Sequence, residues 1–307
     1  MPEISVVICT HNPRLDYLGR VLDALQRQSL SKDEWELLII DNASEAALEN
    51  EYDLSWHRNA RHIREEALGL TQARLRGIRD STGQLLVFVD DDNVLEEHYL
   101  ENTLRIAGEY SKIGAWCGSV TAEFEIPPPH YLNAFRGCFH HEVDKDAWSE
   151  STDCADLLPT GAGLCIRRDI AERYGKSLDS RHTGQLLGRR GASLGAGEDF
   201  DLALTARELE YGTGRFKDLK LVHLIPKERM RKKYLVRLSE GIHFSVGVVK
   251  RLHHIDVGPL RSAGPIRHLI ELLRLHGGER LEYIGYHRAQ RRLQRWIATE
   301  DKRNFQI

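Results

Sequence analysis

Five consecutive apolar residues, Leu85-Leu86-Val87-Phe88-Val89, lead straight into Asp90-Asp91-Asp92-Asn93. A half-exposed strand alternates with polar residues, so an unbroken run of this kind reads as a strand buried on both faces. Three carboxylates then crowd its end. They repel one another, and ionised acids beside a core are costly unless a cation or hydrogen-bond donors offset them. One reading is a polar turn that caps the next helix, where Asp and Asn are favoured. The other is the rim of a binding site, and the remaining chain has to decide between them.

The same pattern recurs. Ile4-Ser5-Val6-Val7-Ile8-Cys9 is a buried strand followed by the polar turn Thr10-His11-Asn12-Pro13. Leu15, Leu18, Leu22 and Leu25 then fall at spacings of three and four, one stripe of a helix. Trp35 to Ile40 is a second strand and runs into Asp41-Asn42-Ala43-Ser44. A helix over 68–79 follows, opened by Gly69 and carrying Arg74 and Arg76, then a helix over 97–107 and a strand over 113–122. Apolar strands alternating with helices predict a mostly parallel central sheet flanked by helices, an α/β fold. In such sheets ligands sit at the carboxyl ends of the strands. That rule places Thr10, His11 and Asn12, Asp41, and Asp90 to Asp92 on one rim.

Missing motifs narrow the ligand. A dinucleotide-binding fold would carry Gly-x-Gly-x-x-Gly where Thr10-His11-Asn12-Pro13-Arg14 stands, and the tempting Gly175-Lys176-Ser177 has Ile170 where a phosphate loop needs its first glycine. An acidic rim without a glycine cradle points instead to a phosphate-bearing ligand bridged by a divalent cation. Mg2+ and Mn2+ bind through one or two carboxylates plus substrate phosphates.

At 307 residues, with 41% apolar and 29% charged residues, the chain suits one large α/β domain or two modest ones. No run approaches a membrane span and the start lacks a signal-peptide pattern, so a cytoplasmic protein is expected. Five scattered cysteines, Cys9, Cys117, Cys138, Cys154 and Cys165, suit reduced thiols, with Cys9 and Cys165 as core residues. The net charge of −3 divides unevenly: residues 227–307 carry +10 and residues 1–226 carry −13. A basic end on an acidic body suggests an anionic partner, although a solvated helical face accounts for the charge equally simply.

The middle of the chain is less regular. Pro127-Pro128-Pro129 ends a strand, and 127–195 reads as an insertion in which His140-His141 has no third metal ligand placed by sequence. Pro159 to Arg168 reads as a glycine-kinked strand, and the glycine-rich stretch from Gly184 to Gly197 as a mobile loop. That loop runs into Glu198-Asp199-Phe200-Asp201 at a helix start, where acids are also favoured simply by the helix dipole. A late strand over 219–224 carries His223. From Met230 the set Tyr234, Leu238, Ile242 and Val249 marks a long amphipathic helix, and 266–297 holds two further helical patterns rich in arginine near Trp296.

Ser5 to Asn12, Asp41 to Ser44, Gly69-Leu70-Thr71-Gln72-Ala73-Arg74 and Asp90-Asp91-Asp92, in that order, resemble the family 2 glycosyltransferases of the GT-A fold, and Gly197-Glu198-Asp199 with His223 extends the resemblance to about residue 225. The resemblance implies a nucleotide-sugar-binding and catalytic domain over 1–226 and a basic helical C-terminal extension over 227–307. It implies a hexosyltransferase-type enzyme that inverts the anomeric centre, depends on Mn2+ or Mg2+ and uses a nucleotide sugar, expected to be a UDP-sugar. By resemblance Thr10, with His11 and Asn12 beside it, and Asp41 lie against the nucleotide. Arg74 positions it, Asp90 faces the ribose, and Asp92 of an Asp-x-Asp motif holds the metal with His223 nearby. Asp199 is the expected base, with Glu198 as alternative or acceptor contact, and Asp91 is expected to point away or cap the next helix. The acceptor is then a hydroxyl of a glycan, lipid-linked or other molecule, expected in cell-surface polysaccharide synthesis. Two other classes share parts of this pattern: a sugar-phosphate nucleotidyltransferase, which would show a glycine-rich signature after the first strand, and a non-catalytic sugar-nucleotide-binding module. The basic end is expected to pack on the catalytic domain or to form a homo-oligomer, with peripheral contact at the inner face of a membrane as the alternative. Nucleic-acid binding has no supporting motif.

Overall fold

A computed structural model describes residues 1–151, 157–180, 187–190, 193–258 and 264–304; Cys154 and parts of the expected mobile loop lie outside them. The chain divides into two compact units, one formed by Met1–Glu123, Phe139–Gln185 and Glu198–Leu224, the other by Phe124–Cys138, Leu186–Gly197 and Ile225–Ile307.

The first unit is built on strands β1 (Ile4–Thr10), β2 (Trp35–Asn42), β3 (Ala60–Glu65), β4 (Leu85–Val89), β5 (Asn93–Leu95), β6 (Ile113–Phe124), β7 (Ala147–Ser149), β8 (Leu164–Arg167) and β11 (Gly212–Ile225). Their order in the sheet is β3-β2-β1-β4-β8-β6-β11-β5, with β7 also paired to β11. The β3, β2, β1 and β4 ladders are parallel, whereas β8 runs antiparallel to β4 and to β6. The sheet is therefore mixed, and within its parallel half β1, β2 and β4 are the strands read from the apolar runs. Every residue of β1, β2 and β4 is buried, as strands covered on both faces must be. The polar β3, Ala-Arg-His-Ile-Arg-Glu, sits at the sheet edge, where charged side chains protect an open strand.

Helices α1 (Leu15–Gln26), α2 (Leu70–Asp80), α3 (Tyr99–Glu109), α4 (Arg168–Ser180) and α5 (Glu198–Glu208) belong to this unit. In α1 the stripe of Leu18, Leu22 and Leu25 is buried, but Leu15, expected to join it, lies half-exposed at the first turn. His141 pairs with Val120 in an isolated bridge and its Nε2 lies 2.8 Å from the Gly118 carbonyl, a structural role for the His pair. Cys9, Cys117 and Cys165 are buried free thiols.

In the second unit, short strands β9 (Arg189–Arg190) and β10 (Ser193–Leu194) pair antiparallel. Helix α6 (Lys232–Leu252), α7 (Pro265–Arg274) and the long α8 (Gly277–Asn304) follow. The α6 and α8 helices approach closely because small residues meet larger ones. Gly247 faces Leu293, and Gly285 faces Ser239, whose hydroxyl donates to the Glu282 carbonyl at 3.2 Å. Among the described residues no helix is long and apolar enough to cross a membrane.

Candidate active site

All the residues singled out from the sequence as site residues fall in the first unit. Register explains part of the convergence. Thr10 lies opposite Asp41 across the β1–β2 ladder, and Ile8 opposite Val89 across β1–β4, so the ends of three adjacent parallel strands share one edge.

Two backbone positions bend the chain sharply there. Asn12 and Ala43 adopt the left-handed region with φ of 49° and 56°, costly for Ala and tolerable only because neighbouring bonds fix the turns. The Asn12 amide donates to the Ser44 hydroxyl at 2.9 Å, and the Asn12 side-chain oxygen accepts from the Glu45 amide at 2.8 Å. His11 Nδ1 lies 2.8 Å from the Asn42 carbonyl. Asn42 in turn accepts from the Gly69 amide at 2.7 Å, tying the start of α2 to the same rim.

Asp41 is buried at the end of β2. Its carboxylate accepts from the Ser44 amide at 3.0 Å and from Arg64 of β3 at 2.7 Å. Burial opposes ionisation, but the bonds from Ser44 and Arg64 outweigh it and hold the Asp41 carboxyl below the usual range. A group with a lowered pKa adds stability above its unfolded value, about 3.9, and loses it as pH falls through the folded value. Arg64→Ala should therefore move acid unfolding to higher pH in a titration followed by circular dichroism. An unchanged acid midpoint would show that Arg64 does not hold Asp41 ionised.

The three acids after β4 have separate environments. Asp90 is substantially exposed, with an oxygen 3.8 Å from Arg74. Asp91 neither points away nor caps α3. Its carboxylate accepts a short hydrogen bond from the Thr10 hydroxyl, joining the tips of β1 and β4. Asp92 is buried, accepts from the Asn93 side-chain amide at 2.9 Å, and has its other oxygen 3.7 Å from His223 Nε2. Pairing of β5 with β11 sets His223 opposite Asn93 and brings that imidazole beside Asp92.

Arg74, on α2, connects the rim to α5. Its guanidinium lies over the Phe88 ring at 5.3 Å and makes an ion pair with Glu198 at 3.0 Å. The two side chains are only 4% and 5% exposed. Burial disfavours the cation, but Glu198, Asp90 and Asp199 outweigh it and raise the pKa of Arg74 further. Glu198 also accepts from the Thr71 hydroxyl at 3.1 Å. Asp199 stands differently. One of its oxygens accepts from the Gly161 amide at 2.8 Å and the other from the Phe200 amide at 3.0 Å, and the side chain is only partly covered. Burial raises the Asp199 carboxyl above its ordinary range, more than Arg74 and those two amides lower it. Burial likewise raises Glu198, against Arg74.

The turn that supplies the Gly161 amide is itself held. Gly163 has φ of +66°, and its carbonyl accepts from the Tyr99 hydroxyl at 2.6 Å. A side chain at 161 would press on both Arg74 and Asp199, so glycine keeps that approach open.

Arg64 was not read from the sequence, and Thr71 and Gly161 entered that reading only as members of longer stretches, without these roles. Arg64 lies in a polar edge strand without an apolar run, and the other two act through positions that no spacing reveals. Asp92, in the turn just before β5, and His223, on the neighbouring β11, supply one carboxylate and one imidazole. This donor set fits a Mg2+ or Mn2+ ion that draws its remaining ligands from phosphates and water. Among the described residues, no group of three or more His, Cys, Asp or Glu forms a metal site by itself.

Residues 5–160 match the family model described as Glycosyl transferase family 2, and the chain belongs to that family. Putative glycosyltransferase EpsH of Bacillus subtilis is 30% identical over 168 residues, which cover 48% of this chain and 46% of that protein. Glycosyltransferase AglE of Haloferax volcanii is 28% identical over 178 residues, 57% of this chain and 56% of its own. The chain thus spans about half the length of these two relatives. In overall fold it is similar to mannosyltransferase PcManGT from Pyrobaculum calidifontis, a structure in complex with GDP-Man and Mn2+, with a TM-score of 0.56 and 19% identity over 93% of this chain and 74% of that one. It is also similar to S. aureus TarS 1-349 in complex with UDP, with a TM-score of 0.54 and 13% identity over 96% and 92% of the two chains. These likenesses support the α/β GT-A architecture.

Proposed function

We propose that the chain transfers a hexose from a nucleotide sugar, a UDP-sugar first among donors, to an acceptor hydroxyl with inversion at the anomeric carbon. The observation that carries this reading is Asp199: a partly covered carboxylate with a raised pKa, aimed by two backbone amides, beside an arginine that reaches the acidic nucleotide rim. In the proposed step Asp199 takes the proton from the acceptor hydroxyl as its oxygen bonds to the anomeric carbon. The bond from that carbon to the diphosphate breaks, and the diphosphate leaves with the electron pair. Thr10, His11, Asn12 and Asp41 form the nucleotide rim, and Asp90 faces the ribose. Arg74 positions the diphosphate side, and Glu198 positions Arg74. Asp92 and His223 would hold a divalent ion, which when bound supplies charge neutralisation for the leaving diphosphate. The acceptor is a hydroxyl of a glycan or lipid-linked molecule of cell-surface polysaccharide.

The neighbours' names carry two different nucleotides, so donor choice is tested directly. UDP-, GDP- and dTDP-sugars with and without Mn2+ should be compared by thermal shift. UDP-sugars are expected to raise the melting temperature, and only with metal; Asp92→Asn should abolish most of that metal-dependent shift. Stabilisation by another nucleotide alone would overturn the donor assignment. Pyrophosphate release from UTP and a sugar phosphate would instead identify a nucleotidyltransferase. Binding without transfer to any acceptor would identify a non-catalytic module.

A further inference from the structure

Helix α7 turns its apolar face outward. Ile266, Leu269, Ile270 and Leu273 recur at helical spacing and are 76%, 58%, 56% and 69% exposed. They form one stripe roughly 100° wide, the width that a globular helix ordinarily buries. The helix is held by another side. His268 stacks on Tyr283 of α8 with ring centres 5.4 Å apart and meets His287 edge-on at 5.1 Å. Four large aliphatics left together in solvent mark an interaction surface.

Charge selects the occupant. Arg267 and Arg274 lie along one edge of the stripe, both exposed, and Arg274 is 4.0 Å from Glu271, the sole acid of the helix. His268 and Leu272 line a cleft of about 300 Å³ with Arg280, His287, Arg288 and Arg291 of α8. His287 is buried, and its Nδ1 has no hydrogen-bond partner. A second copy of the chain would bring the same cations face to face, whereas lipid phosphates would neutralise them. At ten residues α7 is about 15 Å long, too short to span a bilayer but long enough to lie in its surface.

We propose that α7 docks on an anionic lipid bilayer, with Ile266, Leu269, Ile270 and Leu273 entering the headgroup boundary and Arg267 and Arg274 meeting lipid phosphates. The inference rests on the geometry of the second unit and stands apart from the transfer reaction.

Flotation of the whole chain tests it, using vesicles of phosphatidylcholine containing roughly one third phosphatidylglycerol, with pure phosphatidylcholine as control. The protein should float with the anionic vesicles and release as salt rises. Leu269→Ser with Leu273→Ser, and separately Ile266→Ser with Ile270→Ser, should each weaken partitioning at least about tenfold. Arg267→Gln with Arg274→Gln should weaken it and flatten its salt dependence. These side chains are exposed, so the circular dichroism spectrum and melting temperature should stay unchanged. Three results would overturn the proposal: equal binding of wild type and apolar variants, equal binding to neutral vesicles, or a solution dimer dissolved by the serine substitutions, which would identify a second copy as the occupant.

Discussion

Asp199→Asn is expected to lower the rate of sugar transfer by about 10²- to 10⁴-fold, the usual contribution of a positioned general base. Asparagine keeps the size of the side chain and an oxygen for one of the two amide bonds, so folding and donor affinity should survive. In the wild type the pH profile of kcat/KM should fall on its acid side with a midpoint above the ordinary carboxylate range of about 4, because burial raises this group. The sign is fixed by chemistry: only the ionised form accepts a proton, so activity rises with pH through the Asp199 pKa. The acid limb should vanish from the residual activity of the variant. Near-normal turnover in Asp199→Asn would exclude it as the base, and loss of donor binding along with turnover would assign it to the donor side.

Glu198→Ala should be the most damaging change to stability. Arginine cannot shed its proton inside a protein, so removing Glu198 leaves a buried guanidinium without its nearest counter-charge. Breaking a buried pair of this kind typically costs about 3–5 kcal/mol. Asp90, 3.8 Å from the same guanidinium, places the expected loss toward the lower end. Chemical denaturation followed by fluorescence measures it. The double variant Arg74→Met with Glu198→Met should recover much of the stability, since apolar replacement removes both desolvation costs, yet it should remain inactive. If Glu198→Ala unfolds at the wild-type denaturant concentration, the pair does not hold α2 to the start of α5.

The parts of the fold legible in the sequence are those that hydrophobic burial dictates. The strands β1, β2 and β4 are apolar throughout because both faces are covered, and the acids at their ends stand out for the same reason. The edge strand β3 escaped because its half-exposed side chains carry no apolar run, and with it went Arg64. The three-residue β5 is too short to show any period, yet its pairing with β11 is what brings His223 to Asp92. Asp91 illustrates a different limit. Its neighbours in sequence give no sign that a hydroxyl from another strand lies within reach, because only the β1–β4 register brings Thr10 there. The likeness of Asp199 and Glu198 in sequence likewise hides their difference in cover and in partners.

The two compact units alternate along the sequence: the polypeptide leaves the first unit at Phe124, returns at Phe139, leaves again at Leu186 and returns at Glu198. The short helical segment His130–Cys138 belongs with the C-terminal helices, where the Tyr131 hydroxyl donates to the Met230 carbonyl at 3.0 Å and Gly278 packs against residues 131 and 134. A ribosome therefore releases that segment long before the helices that cover it exist. During synthesis Leu132 and Phe135 must wait for about 140 residues before α8 begins at Gly277. Between synthesis of residue 138 and of α8 the nascent chain therefore carries apolar side chains without their final cover, the kind of surface that favours aggregation.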